Sequence, residues 1–307
     1  MNDLPSHDPN RCRVIGVLDD GVASLGATAL AHLRTADVVI GGARTLALFR
    51  HALKPGTLTH DLTGQLKAVP GWVRAAREAH QSCVVLATGD PLCHGIAPYL
   101  AQHLCLDALE ILPNLSTLQL ACARVGLAWQ DARIVSVHAA DAGEWQRGAP
   151  PSHGLYALAQ ALRAEQRLLL LTSPANCPDR IARLLLAEGL GSDFHMAVAE
   201  DLLQPDEQVH AQLSPTEAAS MRFAELNVVL LWRTRPRPQP VRFGLADSAF
   251  EQRQPEKGLI TKQEVRAVSL ARLRLHAASV GWAIGAGSSS GGLAAASLCP
   301  RGHVFSL

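Results

Sequence analysis

Short aliphatic runs alternate with amphipathic segments along the first part of the chain. The runs are nearly continuous in apolar residues and lie at residues 13–17, 37–40, 82–87 and 109–112. Segments with helical spacing lie at residues 25–33, 72–80 and 116–125, with a shorter one ending at residue 102. Buried strands that alternate with helices indicate a parallel α/β sheet. We therefore predict an N-terminal α/β lobe over residues 1–128.

The pattern changes after Trp129, where strands become more closely spaced and helices fewer. Strands are predicted at residues 134–137, 167–172, 196–199, 208–213 and 227–232, and helices at residues 155–163 and 178–188. Pro178 supports the start of the second helix, because proline is favoured in the first turn. This spacing favours a mixed sheet in a second α/β lobe over residues 129–233.

A proline-rich stretch, residues 234–255, separates these lobes from the rest of the chain. Pro236, Pro238 and Pro240 stand at alternate positions and exclude both a helix and a central strand. The arginines between them could form a basic contact patch, but an extended, solvated linker explains them better.

The last segment, residues 256–307, predicts one β-α-β unit preceded by a helix. The leading helix lies at residues 260–275, the strands at residues 280–284 and 303–305, and a glycine-rich turn and a helix join the strands. A unit of this size cannot cover both faces of its own sheet, so we expect an incomplete fold.

The composition argues against several classes of protein. The 307 residues include 28 basic and 27 acidic side chains, a balance that does not support nucleic-acid binding. The seven cysteines form no C-x-x-C pair, so no metal site is indicated, and the N-terminus lacks the apolar core of a signal peptide. We therefore expect a reduced, cytoplasmic protein. Residues 277–300 are uncharged but rich in Gly, Ser and Ala, so no membrane span is indicated.

Three loops follow predicted strands at their carboxyl ends, where open α/β sheets bind ligands. They lie at residues 18–21, 88–91 and 113–117. Gly89 would let a ligand approach the backbone, and Asp90 could accept a hydrogen bond from a hydroxyl or an ammonium group. Ser116 or Thr117 could either cap the following helix or bind a ligand.

In this order and at this spacing, the loops resemble the motifs of the tetrapyrrole methylase family, the class III S-adenosylmethionine-dependent methyltransferases. VIGVLDDG at residues 14–21 is similar to V-I-G-x-G-x-x-G, TGDPLCHG at residues 88–95 to S/T-G-D-P, and PNLST at residues 113–117 to P-x-x-S-S/T. The resemblance implies two α/β lobes with S-adenosyl-L-methionine in the cleft between them. It also implies a set of cofactor-binding residues: Gly16, Leu18, Thr88, Gly89, Asp90, Ser116 and Thr117.

Further stretches resemble one branch of the family, which methylates carbon 5 of the corrin precursor precorrin-6Y in cobalamin (vitamin B12) biosynthesis. They are VIGGARTL at residues 39–46, LACARVGLAW at residues 120–129 and VSVH at residues 135–138. The resemblance covers roughly residues 13–232, and it implies a homodimer.

A polycarboxylate substrate makes arginines near the cleft natural anchors, because a guanidinium pairs with a carboxylate through two hydrogen bonds. Arg44 and Arg124 are the candidates, although Arg124 could equally be a solvated helix residue. His138 could assist a proton transfer, bind a carboxylate, or be a structural histidine. No nucleophilic triad is predicted, because methyl transfer from a sulfonium is a direct displacement that needs alignment and a dry site.

Some positions depart from the family pattern. Leu18 occupies the second glycine of the first motif, where its side chain could intrude on the cofactor or force a different turn. Ala139 and Ala140 follow His138 at positions where the branch tends to have Gly-Arg, so one contact to a substrate carboxylate could be missing.

Residues 258–266 and 282–290 resemble the second half of bifunctional members of this branch, a Rossmann-type methyltransferase that methylates carbon 15 and decarboxylates an acetate side chain. Ala283 stands at an acidic position of its cofactor loop, and Ser289 at the last glycine. The chain ends where the ribose-binding acidic residue is expected. We therefore expect a truncated, inactive half, with a separate methyltransferase and decarboxylase as one source of the missing activity.

Three alternatives stay open. The chain could be a non-catalytic or cofactor-binding-only product of a broken bifunctional gene, or it could be another tetrapyrrole methylase. The stretch at residues 39–46 and the C-terminal segment argue against the second of these. Residues 285–292 could also bind NAD, but they lack the complete sheet that such a site needs.

Overall fold

A computed structural model describes residues 11–236, 241–251, 260–285 and 289–307 of the chain. The chain divides into two compact units, Met1–Pro236 and Arg237–Leu307, called here the first and the second unit. Every helix in the described ranges is too short or too polar to span a bilayer.

The first lobe of the first unit is a parallel sheet with helices on both faces. Its strands are β1 (Cys12–Val17), β2 (Val38–Gly41), β3 (Leu58–Asp61), β4 (Cys83–Thr88) and β5 (Leu109–Leu112). Its helices are α1 (Ala27–Thr35), α2 (Ala43–Phe49), α3 (Val69–Glu78), α4 (Ala97–Leu104) and α5 (Thr117–Val125). All strand pairs are parallel, in the order β3-β2-β4-β1-β5. The prediction of a parallel α/β sheet is confirmed.

Successive residues of the central strands β1 and β4 face opposite sides of this sheet, and both sides are buried. Val14 and Val85 belong to a cluster with α3 and α4, whereas Ile15 and Val84 belong to a cluster with α1 and α2. This double burial explains the unbroken apolar runs of the two strands.

The second lobe is a mixed sheet. Its strands are β6 (Arg133–Ser136), β7 (Arg167–Leu171), β8 (Phe194–Glu200), β9 (Gln208–Leu213) and β10 (Asn227–Arg233), and its helices are α6 (Tyr156–Ala164), α7 (Pro178–Ala187) and α8 (Pro215–Ala218). The order is β6-β7-β10-β8-β9. The pair β6–β7 is parallel, and β10 runs antiparallel to both of its neighbours. The mixed sheet agrees with the sequence prediction.

Helix α5 packs against the sheet of the second lobe and so joins the two lobes. Its side chains Leu118 and Ala121 share a buried cluster with Ala199 and Leu230 of the second sheet. The opposite face of that sheet is covered by α6 and α7. Because α5 belongs in sequence to the first lobe, its packing makes the two lobes one compact unit.

A buried carboxylate fixes the segment between β6 and α6. The Trp145 Nε1–H donates to Glu188 Oε1 at 2.8 Å, and Arg163 Nη2 donates to Glu188 Oε2 at 2.6 Å. The Glu188 side chain is only 2% exposed. Burial alone would raise the pKa of Glu188, but the hydrogen bonds from Arg163 and Trp145 outweigh it and lower the pKa.

The second unit is a small α/β arrangement. It contains α9 (Gln263–Leu273), β11 (Val280–Ala283), α10 (Ser290–Leu298) and β12 (His303–Ser306). Strands β11 and β12 pair in parallel, as predicted. Residues 286–288 of the predicted glycine-rich turn lie outside the described residues.

Part of the stretch predicted as an extended linker is folded. Residues 247–249 form a short 3-10 helix, and Phe250 belongs to the core of the second unit. The buried Arg266 donates to Asp247 Oδ1 at 3.0 Å, and its guanidinium stacks 4.5 Å above the Phe250 ring. The sequence did not indicate this contact, because the neighbouring prolines favoured an extended linker. Pro238, Pro240 and residues 252–259 lie outside the described residues.

Replacing Glu188 by Gln removes the charge that Arg163 neutralises but keeps an oxygen for Trp145. At pH 7 the variant should lose about 1–3 kcal/mol of unfolding free energy, measured by urea denaturation. A lowered folded-state pKa makes the wild-type contribution present above the ordinary value of 4.5 and lost as the pH falls through the folded value. The stability difference should therefore narrow below pH 4.5.

The exposed Glu78 on α3 offers a control. Glu78→Gln should change stability by less than about 0.5 kcal/mol at pH 7. A Glu188→Gln penalty that stays constant down to the acid transition would contradict the ionic role of Glu188.

Candidate functional site

The ends of β1, β4 and β5 meet at Gly16. A Cβ atom at Gly16 would lie 2.4 Å from the Gly89 carbonyl oxygen and 2.7 Å from the Asn114 nitrogen, so only glycine fits. The Gly89 N–H donates to the Val17 carbonyl at 2.8 Å, and Asn114 Nδ2 donates to the Gly16 carbonyl at 3.2 Å. The end of β1 and the loops after β4 and β5 are therefore packed together.

The loop after β4 turns sharply at Gly89. Its φ of +72° lies in the left-handed region that glycine adopts without strain. Asp90 stabilises the turn, because its Oδ1 accepts a hydrogen bond from the Leu92 N–H at 2.8 Å. The geometry thus gives Asp90 a structural task, and its predicted contact with a cofactor stays a prediction.

The loop after β5 leads into α5 through a capping box. Ser116 Oγ accepts the Gln119 N–H at 3.2 Å, and Gln119 Oε1 accepts the Ser116 N–H at 2.8 Å. Of the two roles left open for Ser116, the structure shows the cap. Thr117 follows as the first residue of α5 and borders a cleft.

That cleft, with a volume of about 180 Å³, lies between the two lobes of the first unit. The first lobe lines it with Asp19, Arg44, Thr88 and Thr117, and the second lobe with Thr172, Ala199, Leu202, Gln204 and residues 225–228. The wall therefore combines apolar side chains with hydroxyl, amide and charged groups.

Arg44 reaches the cleft in partnership with Asp19. Its Nη1 donates to Asp19 Oδ2 at 3.0 Å, and the same oxygen accepts Gln204 Nε2 of the second lobe at 3.3 Å. The Arg44 side chain remains 49% exposed. A guanidinium has five N–H donors, so one contact to Asp19 leaves several for another carboxylate.

Leu18 lies outside the lining of the cleft. It is 6% exposed and belongs to the buried cluster that contains Leu118 and Ala199. The side chain thus helps to join the lobes. Its role as a cofactor-binding residue stays a prediction.

Two of the predicted substrate-binding residues, Arg124 and His138, also lie outside the lining. Arg124 pairs with Glu207, with Nε–Oε1 at 2.5 Å and Nη2–Oε2 at 3.3 Å. This pairing, together with the Leu203 N–H, lowers the pKa of Glu207. His138 Nδ1 lies 3.4 Å from the Thr172 carbonyl oxygen, next to a residue that does border the cleft.

The second-lobe residues that line the cleft were not among the candidates predicted from the sequence. Thr172 Oγ1 donates to Asn227 Oδ1 at 2.7 Å, and both residues line the cleft. The signal was their place at the ends of buried strands, because Thr172 directly follows β7 and Asn227 begins β10. Asp201, which follows β8, has a raised pKa, owing first to burial and then to the nearby charges of Glu200 and Asp206.

Comparison with known proteins assigns this arrangement a family. Residues 12–215 match the family model described as tetrapyrrole (corrin/porphyrin) methylases. Precorrin-6Y C(5,15)-methyltransferase (decarboxylating) from a Sinorhizobium species is 34% identical over 283 residues, which cover 91% of this chain and 63% of that relative. Cobalt-precorrin-7 C(5)-methyltransferase from Salmonella typhimurium is 29% identical over 218 residues, which cover 71% of this chain and 96% of that relative.

A solved structure shares the fold. Uroporphyrin-III C-methyl transferase from Thermus thermophilus, complexed with S-adenyl homocysteine, superposes with a TM-score of 0.52 at 22% identity. The match covers 72% of this chain and 97% of that chain. The predicted two-lobed fold is thereby confirmed.

Replacing Gly16 by Ala tests whether the close backbone approach at Gly16 stabilises the fold. The new Cβ would overlap two backbone segments that cannot move independently, so the variant should lose at least about 2 kcal/mol of unfolding free energy in urea denaturation. Gly71, inside α3, has no atom within 4 Å of an added Cβ. Gly71→Ala should therefore be neutral or stabilising by up to about 1 kcal/mol. Equal effects of the two substitutions on the free energy of unfolding would refute the claim that Gly16 has no room for a side chain.

Proposed function

The chain belongs to the tetrapyrrole methylase family, and from this membership we propose that it transfers a methyl group from S-adenosyl-L-methionine to carbon 5 of the corrin precursor precorrin-6Y. The single observation that carries the proposal is the cleft between the lobes, bordered by the loop after β1, the last residue of β4 and the start of α5. A carbon-5 reaction is favoured because the Sinorhizobium and Salmonella relatives are both carbon-5 methyltransferases by name.

The first unit is the part of the chain to which the proposal applies. The Salmonella relative, a carbon-5 enzyme by name, is covered along 96% of its length by 218 residues of this chain. The Sinorhizobium relative is longer, and the chain spans 63% of it. The stretch matched in a carbon-5 enzyme is thus no longer than the first unit, which supports placing the proposed reaction there.

The residues of the cleft fit a nucleoside-containing cofactor. Ala199, Leu202 and Val228 offer apolar surface for a base, while the hydroxyls of Thr88 and Thr117 can hydrogen-bond to polar groups. The Thermus relative bound to S-adenyl homocysteine supports this assignment. When bound, S-adenosyl-L-methionine would supply an already activated methyl group, so no protein nucleophile is needed.

The chain's own task is then to bind the cofactor and the substrate, to align them and to exclude water. Arg44 is the preferred anchor for a substrate carboxylate, because it borders the cleft and is half exposed. Arg124 is a weaker candidate, since Glu207 already occupies its guanidinium. His138 stands near Thr172 and could contact the substrate from the second lobe.

The second unit is proposed to lack the carbon-15 and decarboxylating activities, because Ala283 replaces the acidic residue that its resemblance calls for. A separate methyltransferase and decarboxylase would then supply the carbon-15 methylation and the decarboxylation. The active protein is also proposed to be a homodimer, as the family resemblance implies. The cofactor-binding-only alternative rested partly on Leu18. Since Leu18 is buried between the lobes and is not among the residues that line the cleft, that support is weakened.

Incubation of the purified chain with precorrin-6Y and methyl-labelled S-adenosyl-L-methionine tests the proposal. One methyl group should be incorporated without release of carbon dioxide. Cofactor binding without methyl transfer would favour the binding-only alternative, and two methyl groups with decarboxylation would refute the inactivity of the second unit. A parallel reaction with the cobalt-containing substrate would establish which form is used.

Arg44→Ala tests the substrate anchor. The variant should raise the KM for the corrin substrate at least about tenfold, because a bidentate charged contact is lost. Affinity for the cofactor, measured by calorimetry, should stay within about twofold. Arg50, exposed near the end of α2, provides the control, and Arg50→Ala should leave both constants unchanged. An unaltered KM in Arg44→Ala would exclude the anchor role.

A further inference from the structure

The loop between β8 and β9, residues 201–207, is called here the clasp loop. Two of its non-glycine residues adopt the left-handed backbone region, Asp201 with φ +46° and Leu203 with φ +64°. Side chains disfavour this region, so such a conformation persists only where surrounding contacts impose it. At these two residues the Asp201 N–H donates to the Leu226 carbonyl at 2.9 Å, and the Leu203 N–H donates to the Glu207 carboxylate.

The first tie joins the clasp loop to α5. Glu207 accepts two hydrogen bonds from Arg124, and its Oε2 also accepts the Leu203 N–H at 2.7 Å. One carboxylate thus holds a left-handed residue of its own loop and a guanidinium on a neighbouring helix. None of these three residues lines the cleft.

A second set of contacts joins the clasp loop to the first lobe at the cleft itself. Gln204 Nε2 donates to Asp19 of the first lobe at 3.3 Å, while Leu202, 8% exposed, packs in the buried cluster with Leu18 and Leu118. Leu202 and Gln204 both line the cleft. The left-handed residues flank Leu202 on either side, and therefore determine where it and Gln204 stand.

We propose that Glu207 is a positioning residue, which together with Arg124 holds the clasp loop so that Leu202 and Gln204 form the second-lobe wall of the cofactor cleft. The inference rests on the proposed function, because it takes the ligand of the cleft to be the cofactor. A loop released from Arg124 would spend only part of its time in the binding conformation. The apparent Kd of the ligand rises by the inverse of that fraction.

Glu207→Ala removes both contacts of the carboxylate, whereas Glu207→Gln retains an oxygen for the Leu203 N–H. Binding of S-adenosylhomocysteine, measured by calorimetry, should weaken about five- to tenfold in the Ala variant and less than about threefold in the Gln variant. The KM for S-adenosylmethionine should rise in parallel, with kcat within about twofold of wild type. Amide exchange across residues 201–207 should accelerate in Glu207→Ala.

The matched control is Glu110, whose carboxylate pairs with Arg13 at 3.2 Å within the first sheet. Glu110→Ala removes a comparable ion pair and should change neither loop exchange nor ligand affinity by more than about twofold. An equal loss of affinity in Glu110→Ala, or unchanged exchange and affinity in Glu207→Ala, would overturn the proposal.

Failure of the proposed function would look different. A wild-type chain that binds no S-adenosylhomocysteine would refute the cofactor assignment. Amide exchange of the clasp loop needs no ligand and would still decide whether Glu207 holds the loop.

Discussion

The structure of the first unit depends on a close backbone approach at Gly16, where the ends of three strands meet without room for a side chain. The turn after β4 must pass over Gly16, and Gly89 makes that turn possible with its left-handed conformation. The segment after β5 is held there through Asn114, and α5 begins two residues later at its Ser116 cap. One steric constraint thus sets the position of three loops and of the helix that follows them.

The same constraint reaches the second lobe through α5. Because α5 packs on the second sheet, the crossing at Gly16 also determines how the second lobe faces the first-lobe loops. Leu18 stands where the family motif has a glycine, and its side chain takes part in this packing. The departure from the motif therefore adds apolar contact between the lobes. The cleft is consequently a product of both lobes, with Thr88 and Thr117 on one side and Thr172 and Asn227 on the other.

The sequence was most informative where burial leaves a periodic signal. β1 and β4 were predicted because both of their faces are covered, whereas β3 was missed because it is a four-residue edge strand with mostly exposed residues. Helix α2 was missed since a Gly-Gly pair precedes it and it spans only seven residues. Side-chain partners distant in sequence were beyond reach: no local pattern joins Arg124 to Glu207, 83 positions away.

The folded stretch around Phe250 was also not predicted, because its contacts are made by residues that lie further along the chain. Prolines on both sides suggested a continuous linker, but the contact with Arg266 depends on a helix that begins later in the chain. In the cleft, the loops after the first-lobe strands were predictable from their place at the carboxyl ends of a parallel sheet. The second-lobe residues were not, because a mixed sheet has no single edge where all strands end.

Each unit has a concave surface, and the proposed cofactor site is not the larger of the two. The cleft of the second unit is larger, about 550 Å³, but it is an open face on which Trp282 is 64% and Ile284 82% exposed. A crystal structure with bound S-adenosylhomocysteine would test the central claim most directly. The ligand should lie in the first unit, in contact with Gly89 and Thr117 of one lobe and Asn227 of the other. A ligand bound only in the second unit, or touching a single lobe, would contradict the account.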